Sequence, residues 1–167
     1  MKIYLRPFTR DEYHDFYRRY RPDSLMDPRP YRYHSEHVDR SFDYDLARFE
    51  WYPVFGIFNE NGKSVGTLSL KRIDQLYKRC ELGITMVNDR YKNQGYGTAA
   101  IAEALRIAKV RYGLQQILAD TMGSNHRMQH LLEKFGFRLI GRTPQVYDMN
   151  DHFEDKLDYI LDLNTQE

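Results

Sequence analysis

The sequence has one cysteine, Cys80, so no disulfide can form within the chain, and a reducing compartment such as the cytoplasm is expected. There is no apolar run of 18 residues, and the opening stretch Met1-Lys2-Ile3-Tyr4-Leu5-Arg6-Pro7 lacks a seven-residue apolar core, so neither a membrane span nor secretion is expected. No run of Lys or Arg is longer than a pair and the formal net charge is +1, which argues against a chain built to coat nucleic acid or anionic lipid. Metal-ligand patterns are also sparse. His126 and His130 stand at i and i+4 and His34 and His37 at i and i+3, but neither pair has a His-Glu-x-x-His frame or a cysteine partner, and no metal is expected.

What is present suits a packed domain. Of the 167 residues 41% are apolar and 14% aromatic, enough for one continuous core, and a single domain over 1–167 is expected. The small net charge hides a gradient. Residues 51–147 carry fourteen basic against seven acidic side chains, whereas 148–167 carry one lysine against seven acids. An excess of positive charge in the middle suits a compact polyanionic ligand better than a long track, and a plain surface gradient would look the same.

Hydrophobic periodicity gives the element order. Residues 3–8 read as an edge strand, since Pro7 has no N–H to donate. Thr9 with Glu12 forms a capping box for a helix running to Tyr20. Residues 21–38, holding Pro22, Pro28 and Pro30, read as a loop, and a second helix is expected from Asp39 or Ser41 to Phe49. Strands at 51–58 and 63–73 flank Asn61-Gly62, a hairpin signal, and a third strand at 79–87 completes a meander. The period then changes to 3.6 for a helix over 98–112 with Thr98 as its cap. A strand at 114–121, a helix at 125–135 stopped by Gly136, and strands at 137–141 and 157–163 follow. This is an α+β chain whose central sheet is mixed and mostly antiparallel, flanked by helices, with one parallel βαβ crossover joining strands 79–87 and 114–121.

Between that third strand and the next helix lies Lys92-Asn93-Gln94-Gly95-Tyr96-Gly97-Thr98. A strand-to-helix junction with two glycines can aim successive backbone N–H groups at an anion, and Lys92 adds a cation. The same glycines would serve a simple turn. After the next strand comes Asn125-His126-Arg127-Met128-Gln129-His130-Leu131-Leu132-Glu133-Lys134-Phe135-Gly136-Phe137.

With both segments present, the sequence resembles the GNAT superfamily of acyl-CoA-dependent N-acetyltransferases. Residues 92–97 match that family's Gln/Arg-x-x-Gly-x-Gly/Ala loop except for Lys92 in first place. Asn125, Leu131, Lys134, Gly136 and Phe137 fall on its later Asn-x-x-Ala/Ser-x-x-Leu-Tyr-x-Lys-x-Gly-Phe segment. The resemblance spans nearly the whole chain and looks most like the branch that includes ribosomal-protein N-terminal acetyltransferases. It implies acetyl-CoA as co-substrate, with its pyrophosphate cradled by Lys92, Asn93, Gln94, Gly95, Tyr96, Gly97 and Thr98. Pantetheine would lie along Met86 and Val87, with a backbone N–H near Val87 as oxyanion donor, and Asn125 and Lys134 would assist. Asn125 would equally serve as a helix N-cap.

The implied chemistry is direct attack by an amine, with no covalent enzyme intermediate, so Cys80 reads as a buried residue. Because amines are mostly protonated at pH 7, a base is needed, and Glu81 is the candidate. A salt bridge to Arg72 or Arg79 is its alternative use. Asp120 and Asp148 rank behind it. Leu132 departs from the family pattern where many relatives carry a proton-donating tyrosine, which leaves Tyr147 or Tyr159 to supply a hydroxyl, or solvent. Tyr13, Phe16, Tyr17, Tyr20, Tyr31 and Tyr33 could wall an acceptor groove or simply fill a core.

Two rivals remain. Gly95-Tyr96-Gly97-Thr98-Ala99-Ala100 also fits a dinucleotide-binding Gly-x-Gly-x-x-Ala, but the glycines come too long after the strand and no second βαβ unit exists. A non-catalytic acyl-CoA-binding module is the stronger rival because of Leu132. The expectation is therefore an acetyl-CoA-dependent N-acetyltransferase acting on a protein N-terminus or a small-molecule amine. No nucleic-acid or membrane partner is expected, and a homodimer is possible.

Overall fold

The computed structural model describes residues 1–165; Gln166 and Glu167, at the end of the expected domain, lie outside the described residues. In chain order the elements are β1 (Tyr4–Arg6), α1 (Arg10–Arg19), α2 (Ser35–Ala47), β2 (Val54–Phe58), β3 (Ser64–Asp74), β4 (Arg79–Met86), α3 (Tyr96–Val110), β5 (Gln116–Met122), α4 (His126–Lys134), β6 (Arg138–Asp148) and β7 (Phe153–Asp162). The strands form one sheet in the order β1-β2-β3-β4-β5-β7-β6. Among the described residues only β4 and β5 run parallel, joined by α3 as expected; every other pairing is antiparallel.

Local chemistry accounts for the element ends. Thr9 and Glu12 do form a capping box: the Thr9 hydroxyl accepts the Glu12 N–H at 3.2 Å and the Glu12 carboxylate accepts the Thr9 N–H at 2.9 Å. The same carboxylate takes Arg6 at 2.7 Å, tying β1 to α1. In the β2–β3 turn, Asn59 Oδ1 accepts the N–H groups of Asn61 and Lys63, each at 3.0 Å, and Gly62 adopts φ 78°.

Several expected boundaries move. Helix α2 begins at Ser35, ahead of Asp39, because its first turn is polar and the apolar stripe shows only later; Val38 is its one buried residue. Helix α3 begins at Tyr96, so Thr98 lies inside the first turn, and the N-cap is Gly95 in the left-handed region at φ 88° with no capping side chain. Strands β6 and β7 are longer than expected and pair as a hairpin. β6 is the sheet edge, exposed along most of its length, and register shifts between Leu139 and Gly141 and between Thr143 and Tyr147 erase its period-2 signal. Pro144 sits in the second irregularity, where a missing N–H costs no ladder bond.

Two apolar clusters hold the layers. The larger joins Phe55, Ile57, Leu68, Leu70 and Leu82 of the sheet to Ala100, Ile101 and Ala104 of α3, and extends to Leu132 of α4 and Tyr159 of β7. The smaller joins Phe8, Tyr13 and Phe16 to Val38, Phe58 and Val87, bringing α1 and α2 against the sheet. Tyr13, Phe16 and Tyr17 are therefore packing residues with edge-to-face and tilted ring contacts. Cys80 is buried in the larger cluster, and burial, with the Glu81 charge nearby, pushes its thiol up to about 12.

Two predictions follow from these placements. Arg6 and the Thr9 amide hold Glu12 at about 2, below the ordinary glutamate value of 4.5, against the opposing effect of burial. A depressed carboxyl stabilises the fold above its unfolded value, so this contribution is present at neutral pH and fades as pH falls from about 4.5 toward 2. Glu12→Gln should cost about 1 kcal/mol at pH 7 in a thermal melt, with the gap to wild type closing in acid; equal melts at both pH values would remove the box as a stabilising device. Cys80 should resist a water-soluble disulfide reagent at pH 8 in the native protein and react at once after unfolding, and fast native labelling would place the thiol at the surface.

Candidate active site

The parallel ladder between β4 and β5 lasts three pairs, Arg79↔Gln116, Cys80↔Ile117 and Glu81↔Leu118. Beyond it β4 stays with β3 as far as Gly66↔Met86, while β5 stays with β7 as far as Met122↔Lys156, so the two halves of the sheet part. The Val87 N–H donates to Val65 O at 2.9 Å, and in an antiparallel ladder such bonding alternates. Residues 83 and 85 therefore spend their backbone groups on β3, and those of Ile84 and Met86 face the gap. Agreeing with this parity, Gln116 N–H donates to Lys78 O across the start of the parallel pair.

A cleft of about 820 Å³ opens at the parting strands. One end is the N-terminus of α3. Its first-turn N–H groups on Tyr96, Gly97 and Thr98 have no helical acceptor, and the first to find one is Ala99, which donates to Gly95 O at 3.0 Å. With Asn93 at φ 59° and Gly95 at φ 88°, the approach to the helix turns its amides toward the cleft, an anion-binding geometry. Gly97 brings α3 close to α4: a Cβ there would stand 3.3 Å from the Leu131 side chain, tighter than an ordinary contact.

Met86, Lys92, Asn93, Gly95, Tyr96, Gly97, Thr98, Asn125, Lys134 and Tyr147 all line this cleft. Asn125 also caps α4, accepting the Met128 N–H at 3.2 Å. Gln94 does not line it; its side-chain amide folds back to donate to Arg90 O. Val87 is corrected. It is fully buried in the smaller core, its N–H is taken by Val65 and its carbonyl accepts the Arg21 N–H at 2.9 Å, so the backbone groups left facing the gap are those of Ile84 and Met86.

Lys92 is not a bare cation. Its ammonium lies 2.7 Å from Asp23 and 2.7 Å from Asp89. Burial works to raise the Asp23 carboxyl, but Lys92 and the Leu25 N–H outweigh it and hold the group below the ordinary aspartate range. Asp23 belongs to the segment from Tyr20 to Asp27, which forms a wall of the cleft, so the aromatic loop contributes Tyr20 here.

Glu81 lies outside the cleft. It borders a neighbouring hollow of about 290 Å³ together with Asp120 and Asp158, and Arg72 N–H groups donate to its Oε2 at 3.0 and 2.5 Å. The salt-bridge use of Glu81 is thus realised with Arg72, a residue in a β-bulge at φ 52°. Asp120 borders both the cleft and the hollow. The Tyr147 hydroxyl donates to Asp120 Oδ1 at 3.4 Å, and burial, reinforced by Asp120, pushes that phenol up to about 12. Leu132 is fully buried and Tyr159 nearly so; neither lines the cleft.

Sequence reasoning missed Arg127, His130 and Leu131. With Lys134 they stand at i, i+3, i+4 and i+7 on the cleft side of α4, a stripe masked by the apolar stripe beside it. No group of three or more metal-type ligands occurs among the described residues.

The chain matches the Acetyltransferase (GNAT) domain family over residues 2–138. No curated protein matches it in sequence. Among solved structures, a spermidine N-acetyltransferase SpeG chimera from Vibrio cholerae and hSSAT superposes with a TM-score of 0.84 at 17% identity, covering 98% of this chain and 97% of that one. The Vibrio cholerae spermidine N-acetyltransferase in complex with CoA and spermine gives 0.81 at 16% identity over 97% and 96%. A putative ribosomal-protein-serine acetyltransferase from Vibrio cholerae gives 0.76 at 18% identity over 97% and 94%. Unpaired amides at the head of α3, a sheet parted at its single parallel junction and the family match over residues 2–138 together make this chain a member of the GNAT acetyltransferase family, and an acyltransferase.

Proposed function

We propose that residues 1–167 form a single N-acetyltransferase domain that moves an acetyl group from acetyl-CoA to an amine, a protein N-terminus or a small molecule, by direct attack. The observation that carries this reading is the junction of two features in one cleft: unpaired α3 amides at one end, and the outward backbone groups of Ile84 and Met86 along the gap. The first suits a pyrophosphate, the second an extended pantetheine lying as an added strand. Arg127 and Lys134 supply further positive charge along α4. A thioester carbonyl beside Met86 would find an N–H donor for its developing oxyanion.

The acceptor side favours a cation. Glu81, Asp120 and Asp158 meet in the hollow beside the gap, which agrees with relatives named for spermidine and crystallised with spermine. Tyr147 stays protonated throughout the physiological range and can hydrogen-bond the departing thiolate in place of the tyrosine that Leu132 replaces. Among the described residues no helix is long and apolar enough to cross a membrane, and the buried thiol of Cys80 suits the cytoplasm. The exposed β6 edge, with Leu139, Ile140 and Val146 uncovered, is a surface for a homodimer, and one relative is described as dodecameric. A non-catalytic acyl-CoA-binding module is the second reading, favoured by Leu132 alone.

Calorimetric titration should give micromolar binding of acetyl-CoA and none of NAD. Gly95→Glu places a carboxylate at the helix N-terminus on a φ of 88° and should abolish binding; unchanged affinity would remove the phosphate site. Binding without turnover of any amine would favour the non-catalytic module. Glu81→Gln tests the base expected from sequence: because Arg72 holds Glu81 outside the cleft, kcat should fall less than about tenfold, and a loss of a hundredfold or more would restore Glu81 as the base.

A further inference from the structure

The splayed strands leave one carboxylate in both hollows. We infer that Asp120 takes the proton from the acceptor ammonium and that Tyr147 delivers a proton to the leaving thiolate, the two residues forming one proton path across the gap. This rests on the N-acetyltransferase reading and deepens it.

Asp120 lies two residues beyond Leu118, in the last parallel pair, so it stands where β4 and β5 begin to part. Position alone separates it from its rival, since Glu81 borders only the smaller hollow while Asp120 borders that hollow and the cleft. Partners separate them further. Glu81 is engaged by the Arg72 guanidinium, whereas among the described residues no cation stands within ion-pair distance of Asp120, and the polar group that reaches it is the Tyr147 hydroxyl at 3.4 Å. That bond is long, as catalytic hydrogen bonds often are before substrate binds.

The surroundings also call for a cation. Asp120 sits directly opposite Asp158 across the β5–β7 ladder, and like charges so placed destabilise a sheet. Lys156 partly answers Asp158 at 3.4 Å, which leaves the Asp120 side for an incoming ammonium. The titratable and charged groups facing Asp120 are thus Tyr147 on β6, Asp158 with Lys156 on β7, and Glu81 with Arg72 on the β3–β4 side.

The ammonium gives one proton to the Asp120 carboxylate and becomes an amine. Its nitrogen lone pair forms a bond to the thioester carbonyl carbon, and the C–S bond then breaks with its electron pair going to sulfur. Tyr147 passes its hydroxyl proton to the thiolate and regains one from the protonated Asp120 along their hydrogen bond. The second proton on nitrogen leaves to water as the amide forms, so amine, thioester, amide, thiol and one released proton balance.

The test compares Asp120→Asn, Asp120→Glu, Tyr147→Phe and the Asn/Phe double variant, with acetyl-CoA affinity measured by calorimetry and folding by thermal melt. Asp120→Asn should lower kcat/KM about a hundredfold, leave the acetyl-CoA Kd within twofold and abolish the acidic limb of the kcat/KM–pH profile. Asp120→Glu should restore part of the rate. The double variant should be no slower than Asp120→Asn alone, as two members of one path behave. Turnover by Asp120→Asn within threefold of wild type with the acidic limb intact overturns the path, and so does multiplication of the two losses in the double variant. A wild-type protein that acetylates no amine overturns the parent reading and the path together, and Asp120→Asn with lost acetyl-CoA binding or a collapsed melt would assign Asp120 a structural role and also overturn it.

Discussion

The site depends on a ladder that stops early. Three parallel pairs hold β4 to β5, and the next residues of each strand are committed elsewhere, β4 to β3 and β5 to β7. Backbone groups left without a partner inside a protein are costly, so the sheet maintains an open edge in its middle only because neighbours on both sides fix the two strands. Layers above reinforce the opening. Gly97 lets α3 approach Leu131 of α4 within contact distance, so the two helices that frame the cleft brace each other.

Much of this frame is legible in the sequence because local signals and long-range order agree. The capping box at Thr9 and Glu12, the turn at Asn59–Gly62 and the change of period after Val87 each have one cause, acting over a few residues. The failures share a different cause. The ends of α2 and β6 are exposed, so burial writes no pattern there, and Gly95 begins α3 through its backbone conformation, which a search for capping side chains does not detect. At the site, glycine spacing located the turn that heads α3, yet the direction of each group depends on pleat parity and on pairing partners distant in sequence. That is why Val87 turns out to be spent on Val65 while its neighbour Met86 faces the gap, and why Glu81 is held by Arg72 outside the cleft.

The electrostatics of the cleft are likewise set by long-range neighbours. Lys92 reads as a free cation in sequence, but Asp23, some seventy residues earlier, comes down on it from the loop after α1. The loop is pinned by the Arg21 amide on the Val87 carbonyl, just past the end of β4. Charge in this cleft is therefore matched across elements, and α4 presents Arg127 and Lys134 from the other wall.

The sheet order has a consequence for how the molecule is made. β7 lies between β5 and β6, although it follows both in the chain. During synthesis β5 and β6 emerge before the strand that must separate them, so the outer edge of β5 waits unpaired and β6 has no docking place. The non-local closure delays the final sheet, because contacts distant in sequence are slow to form. The gap between β4 and β5 gains a second wall only when β7 inserts, so in a nascent chain the turn that heads α3 is complete before the cleft is.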